Sequence, residues 1–441
     1  MVQLAKRPWV PLPSEEFIQS LAQEYSRGRP DTLETEIHRL IEHNRKIHDL
    51  DCINLNPATN VMNPRAEGLL ASGLATRPSL GYPGEKYEMG LEAIERIEVM
   101  AAELACETFD SHYAEIRVPS GSLANLYAFL ATCRPGEAII VPPQSIGGHI
   151  THHPTGAAGL YHLDIHPAPV DAANYTIDTD ALRTQARQLR PKLITIGGSL
   201  NLFPHPIKEI RLIADEVGAY VLFDAAHLSG MIAGRAWQRP LEEGAHLMTM
   251  STYKSLGGPP SGLIVTNDPH LAERLDHIAY PGLTANFDVA KTAALAITFL
   301  DWKACGKAYA AMMAKTAKAL ARALAAEGLP VFASEKGGTT SHQFAIEASQ
   351  FGGGQNASKV LRAANILASG IGLPVPEVAG DSNGLRLGVP EFVRRGMRPE
   401  HTAEIARFIN RALLRRESPE SVAKDVSAFR AHFQDICFIR K

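Results

Sequence analysis

Between about residues 60 and 290 the chain alternates between two kinds of pattern. Short runs are apolar almost throughout: "EAIIVPP", "GLYHLDIHP", "PKLITIGGS", "AYVLFDAA", "HLMTMST" and "GLIVTND". Between them lie stretches with helical spacing, such as "DTDALRTQARQLRP" and "PIKEIRLIADEVG". A strand without a polar face must be covered on both sides, so this alternation predicts a mostly parallel sheet flanked by helices. After about residue 290 the pattern changes. A long Ala-rich helical stretch, "VAKTAALAITFLDWKACGKAYAAMMAKTAKALARALAAEG", is followed by two short strand-like runs, "PVFAS" and "HQFAIEA". The glycine run "FGGGQN" reads as a loop, and further helices follow. Residues 1–60 are polar, with a helical pattern in "RPDTLETEIHRLIEHNRKIHDL". The expected organisation is an N-terminal arm (1–60), a large α/β domain (61–290) and a smaller α+β domain (291–441).

Length agrees with this division, because 441 residues exceed what one compact core usually holds. Composition is that of an ordinary soluble enzyme, 45% hydrophobic and 21% charged. A formal net charge of -3 gives no support for a nucleic-acid partner or an anionic membrane surface. No apolar run reaches the roughly 18 residues of a membrane span. The start, "MVQLAKRPWVPLPSEEF", lacks the apolar stretch of a signal peptide. The five cysteines are scattered, with no CxxC and no metal-ligand spacing. A reduced, cytoplasmic protein is expected.

Candidate chemistry begins with Lys254 in "STYKSLGGPPSG", between two runs that read as buried strands. A buried ammonium loses its water, so the lysine needs a reason to be there. In "PSGSLAN", Ser120, Gly121 and Ser122 lead into a helical pattern. Small residues at a helix N-terminus expose N–H groups to a phosphate, although an ordinary N-cap uses the same residues. In "VLFDAAHLSG", Asp224 ends an apolar strand and His227 follows. Ligands of open α/β sheets lie at strand carboxyl ends, where such an acid pairs with a protonated heterocyclic nitrogen or caps a turn. The run "GGHITHHP" holds His149, His152 and His153, which suit stacking on a flat ring, a weakly indicated metal site or plain surface positions. In "NGLRLGVPEF", Arg386 sits on a short strand, with a fork suited to a carboxylate or to a structural ion pair. A phosphate cradle, a stacking histidine, an Asp at a strand end and a lysine after a strand, in that order, make a site for pyridoxal 5'-phosphate. Lys254 would bond the aldehyde and Asp224 would keep the pyridine nitrogen protonated.

The same residues carry a resemblance. "GYPGEKY", "PSGSLAN", "GGHITH", "IADEVGAYVLFDAAHLSG", "STYKSLGGP", "YPGL", "RAANI" and "GLRLGVPEFVRRG" resemble the serine hydroxymethyltransferase family over about residues 53–410. The resemblance implies the fold-type I (aspartate-aminotransferase-like) architecture, with a mostly parallel seven-stranded sheet. It implies phosphate binding by Ser120, Gly121 and Ser122, ring stacking by His149, and Ser199 near the ring oxygen. Asp224 would pair with the ring nitrogen, His227 would lie beside the cofactor, and Lys254 would carry it. Arg386 would bind the substrate carboxylate, and Tyr87 and Glu88 would border the substrate. It also implies active sites shared between two chains, hence a homodimer or a dimer of dimers.

Departures from the family fall on the substrate side. The family's glutamate is Leu80, the tyrosine before it is Pro78, and a second tyrosine is Glu88. A serine that helps hold the carboxylate is Ala58, the histidine before the lysine is Tyr253, and a glycine pair is Ala285 and Asn286. The expected activity is therefore reversible Cα–Cβ cleavage of a β-hydroxy-α-amino acid such as serine, α-methylserine or threonine, releasing an aldehyde. Without the glutamate it should run without folate, and binding of tetrahydrofolate is left open. The alternatives are the ordinary tetrahydrofolate-dependent enzyme, another pyridoxal-phosphate enzyme such as a decarboxylase or aminotransferase, and a catalytically silent relative.

Overall fold

The computed structural model describes residues 4–77 and 79–441; Pro78, one of the departures, lies outside them. The chain divides into two compact units, Met1–Cys52 and Ile53–Lys441. The first holds helices Leu12–Tyr25 and Pro30–Arg45, the latter continuing into a wider turn over Lys46–Asp51.

The second unit is built on a seven-stranded sheet. Its strands are β1 (Tyr113–Glu115), β2 (Ala138–Val141), β3 (Asp164–Pro167), β4 (Leu193–Gly197), β5 (Tyr220–Asp224), β6 (Leu247–Ser251) and β7 (Gly262–Thr266). Their order is β1-β7-β6-β5-β4-β2-β3. The run β3-β2-β4-β5-β6 is parallel throughout, and β7 runs antiparallel to both β6 and β1. All residues of β4, β6 and β7 are buried, as strands covered on both faces must be. Among the flanking helices, Thr179–Leu189 is capped by the Asp178 carboxylate, and Ile207–Val217 ends where Gly218 takes a positive φ.

A 38-residue helix, Val289–Ala326, starts at an Asp288 cap and runs about 57 Å at the usual rise. It packs against Glu92–Phe109 and Thr402–Leu413. A smaller antiparallel sheet follows, formed by β8 (Gln343–Glu347), β9 (Ser369–Ile371) and β10 (Gly384–Gly388) in the order β8-β10-β9.

Two local expectations are corrected. "PVFAS" is not a strand: only Val331 bridges to Ile346, and Ala333 takes a left-handed conformation that opens a short 3-10 turn. "FGGGQN" is a loop only in part, because helix Gly354–Ala363 begins inside it. The Asp381 carboxylate accepts from the N–H groups of Gln355 and Asn356, both at 2.9 Å, so the cap comes from a residue distant in sequence.

Candidate active site

The sheet topology gathers the chemistry at one edge. His149 follows β2, Ser199 follows β4, Asp224 ends β5 with His227 just after it, and Lys254 follows β6. Ser120 follows β1, which runs in the same sense as β6. All of them therefore sit at strand carboxyl ends. Arg386 arrives from β10 of the smaller sheet.

Lys254 is buried, and its Nζ lies 3.0 Å from His227 Nε2. Burial pushes the amine down to about 8, with Asp224 pulling up and Arg386 pushing down. His227 is buried too, and its Nε2 also faces Arg386 Nη1 at 3.4 Å. Burial and the two cations hold this imidazole well below its ordinary range, so it is neutral. Its Nδ1 has no partner among the described residues.

Asp224 is enclosed by donors. Its Oδ2 accepts from Asn125 Nδ2 at 3.1 Å and lies 2.9 Å from His152 Nε2, while Oδ1 accepts from the Ala226 N–H at 3.0 Å. Burial alone would raise this carboxyl, but His152, His149 and the Ala226 N–H together outweigh it and hold the group well below the usual range. Asn125 is fixed in turn by Thr249 Oγ1 at 2.7 Å and by Thr151 Oγ1 at 2.9 Å. His149 lies 2.8 Å from the same Thr151 hydroxyl, and burial brings its pKa down to about 4.

Arg386 makes no ion pair with a carboxylate among the described residues, which removes the structural-pair alternative. Its Nε and Nη2 donate to Ser369 Oγ at 3.2 and 3.0 Å, and its Nη1 donates to the Ser199 carbonyl at 2.6 Å. Burial lowers its pKa to about 10, and Tyr175 opposes that. Ser199 thus contributes its backbone to the cluster as well as its half-buried side chain.

Ser120 caps helix Gly121–Thr132, its Oγ accepting from the Leu123 N–H at 3.2 Å, and Ser122 is exposed. A Cβ at Gly121 would collide with Ser251, so the helix start lies directly on β6. Tyr87 and Glu88 are exposed after the hairpin Gly81–Lys86, and among the described residues no hydrogen bond links them to the cluster. Leu80 is half-buried and its carbonyl accepts from the Tyr87 N–H at 2.9 Å. Ala58 and Tyr253 are half-buried, while Asn286 is exposed.

Sequence reasoning missed several contributors. His152 is wholly buried rather than a surface residue, and it serves Asp224. Among the described residues no group of three or more His, Cys, Asp or Glu could hold a metal ion. Asn125 and His152 both lie inside quoted motifs, so proximity was the available signal. Thr249 and Ser369 carried none.

A parallel-rich sheet that collects an amine, neutral imidazoles, an ionised carboxylate and an unpaired guanidinium at its carboxyl edge is a fold-type I enzyme architecture. The chain belongs to the serine hydroxymethyltransferase family, whose model "Serine hydroxymethyltransferase" matches residues 31–409. It is 60% identical to an alpha-methylserine aldolase of a Ralstonia species over 437 residues, 99% of this chain and 100% of that protein. It is 61% identical to an alpha-methylserine aldolase of Variovorax paradoxus over 436 residues, covering 99% and 98% of the two chains. A serine hydroxymethyltransferase of Sulfolobus acidocaldarius is 38% identical over 409 residues, 92% of this chain and 94% of that one. Among the described residues no helix is long and apolar enough to cross a membrane.

Proposed function

We propose that this protein is a pyridoxal 5'-phosphate-dependent aldolase that cleaves α-methylserine to alanine and formaldehyde, reversibly and without tetrahydrofolate. The carrying observation is the 60% identity, end to end, with the alpha-methylserine aldolase of the Ralstonia species. The donor set fits the cofactor: a buried amine at Lys254, a carboxylate held ionised at Asp224, and the helix start at Ser120, Gly121 and Ser122 for the phosphate. His227, whose Nε2 meets Lys254 and Arg386, also carries a buried Nδ1 with no partner among the described residues.

When bound, pyridoxal phosphate supplies the sink for the electron pair released by Cα–Cβ cleavage. The chain does the rest. Lys254, with its pKa near 8, is available as a neutral amine close to neutral pH, so it can hold the cofactor and afterwards return a proton to Cα. Asp224 would hold the ring nitrogen protonated, and His149 would stack on the ring. Arg386 takes the substrate carboxylate and so orients the bond to be broken. The hydroxyl proton of α-methylserine passes to a neutral imidazole, His149 or His227, as the C–O bond becomes a carbonyl. Leu80 has no proton to exchange, which leaves the site without the family's carboxyl for folate chemistry.

The reading includes a large cofactor domain (61–290) and a small domain (291–441), a cytoplasmic location, and a homodimer or dimer of dimers. Exposed apolar side chains around Tyr82, Tyr87, Met89, Val99 and Met100 support assembly. The test is direct. Incubated with α-methylserine in D2O, the loaded enzyme should release formaldehyde and alanine in equal amounts, the alanine carrying one deuterium at Cα. Failure to release either product would overturn the reading.

A further inference from the structure

Gln343 is fully buried, yet neither its Oε1 nor its Nε2 has a hydrogen-bond partner among the described residues. A buried amide with nothing to bond is costly, and a native structure keeps one only for a reason. Its position supplies one. Gln343 pairs with Gly388, and Ala345 pairs with Arg386, in the antiparallel ladder of β8 and β10. Directly opposed residues share a sheet face, and so do residues two apart, so Gln343 is the diagonal neighbour of Arg386 on one face. Phe344 and Leu387, on the other face, are fully buried core residues.

The segment after Leu55 crosses this face. Gly388 donates to the Leu55 carbonyl, and a Cβ on Gly388 would press against Pro57 on one side and Gln343 on the other. Asn56 Oδ1 lies 3.5 Å from Ser369 Oγ, the hydroxyl that Arg386 holds. Ala58, where the family has a carboxylate-binding serine, therefore follows directly on the residue packed beside Gln343.

Arg386 is short of free donors. Of the five N–H groups of a guanidinium, two go to Ser369, one to the Ser199 carbonyl, and Nη1 also faces His227. At most two remain, so an incoming carboxylate needs a further donor to satisfy its acceptor sites.

We propose that Gln343 is that donor: its amide Nε2 binds the substrate carboxylate beside Arg386, in place of the hydroxyl that Ala58 lacks. The inference rests on the amino-acid-binding part of the function proposed above, and its test does not need cleavage to occur. The decisive variant is Gln343→Met, close in volume and without polar atoms. Affinity for L-alanine, read by spectral titration of the loaded enzyme, should fall about 10- to 100-fold. Affinity for L-alaninamide, which lacks the carboxylate, should change less than about threefold. The melting temperature of the cofactor-free protein should hold or rise, because an unsatisfied buried amide has been removed. Gln343→Asn, which keeps an amide on a shorter stem, should recover part of the L-alanine affinity. Unchanged L-alanine affinity in Gln343→Met would overturn the proposal, as would equal losses for the acid and the amide. A lower melting temperature would make the amide a structural group and would overturn it as well. If the wild-type enzyme binds L-alanine but never cleaves α-methylserine, the reaction assigned above fails while this test still reads.

Discussion

Two halves of the site differ in how far their polar groups are satisfied. Around Asp224 the network closes on the carboxylate: Asn125, His152 and the Ala226 N–H all meet it, and Thr249 and Thr151 hold Asn125, although the far ring nitrogen of His152, Nδ1, has no partner among the described residues. Around Arg386 it stays open: His227 Nδ1, His342 Nε2 and both amide atoms of Gln343 are buried without partners among the described residues. A closed network suits a group that is always bound in one orientation. An open one suits a ligand that enters and leaves with each turnover, because its donors are paired only when the ligand is there. Of the family departures, Ala58 falls on the open half, directly after Pro57, which packs near Gly388 and Gln343.

The largest effect should come from Lys254, where the halves meet. Lys254→Ala should lose cofactor that borohydride can trap and should lower α-methylserine cleavage by more than about 10³-fold. Full trapping with unchanged turnover would break the assignment. On the open half, Arg386→Ala should weaken amino-acid binding by about 2–5 kcal/mol with little loss of cofactor, read by titration with L-alanine. On the closed half the signature should invert. His152→Leu removes the first of the groups that oppose the burial of Asp224, so cofactor affinity should fall about 10- to 100-fold while L-alanine affinity of the fully loaded enzyme stays near wild type. Equal losses of cofactor and amino acid in both variants would erase the distinction between the halves.

A smaller effect concerns acid stability. His205 and His342 are buried, and burial lowers them from 6.5 to about 4 and about 3. Between the unfolded and folded values the unfolded chain binds the extra proton. The stability that neutral burial contributes is thus complete above pH 6.5 and lost as pH falls toward the folded values. Each histidine steepens the loss by up to about 1.4 kcal/mol per pH unit. Urea midpoints measured from pH 7 to 4 check this, and His342→Phe should flatten the slope.

The sheet was readable from sequence because fully apolar strands and helical spacing are local signals. The two misreadings, at "PVFAS" and "FGGGQN", both depended on features that local spacing does not carry: a left-handed Ala333 and an Asp381 cap from 25 residues away in sequence. The site was readable to the extent that its residues sit in recognisable motifs. Lys254, Asp224 and Arg386 could be named; the large sheet brings the first two to one edge, and Arg386 reaches them from the smaller sheet. Gln343 could not, because burial without a partner is a property of tertiary packing. Ser369 could not either, since only strand register sets it against Arg386.

The central claim is that an apolar Leu80 leaves an aldolase in place of a folate-dependent transferase. Initial rates of formaldehyde release from α-methylserine and from serine, each with and without tetrahydrofolate, test it most directly. α-Methylserine should be the faster substrate, and tetrahydrofolate should change either rate less than about threefold. General acid–base help is typically worth about 10² to 10⁴ in rate. A hundredfold or larger rise with tetrahydrofolate on serine would contradict the account.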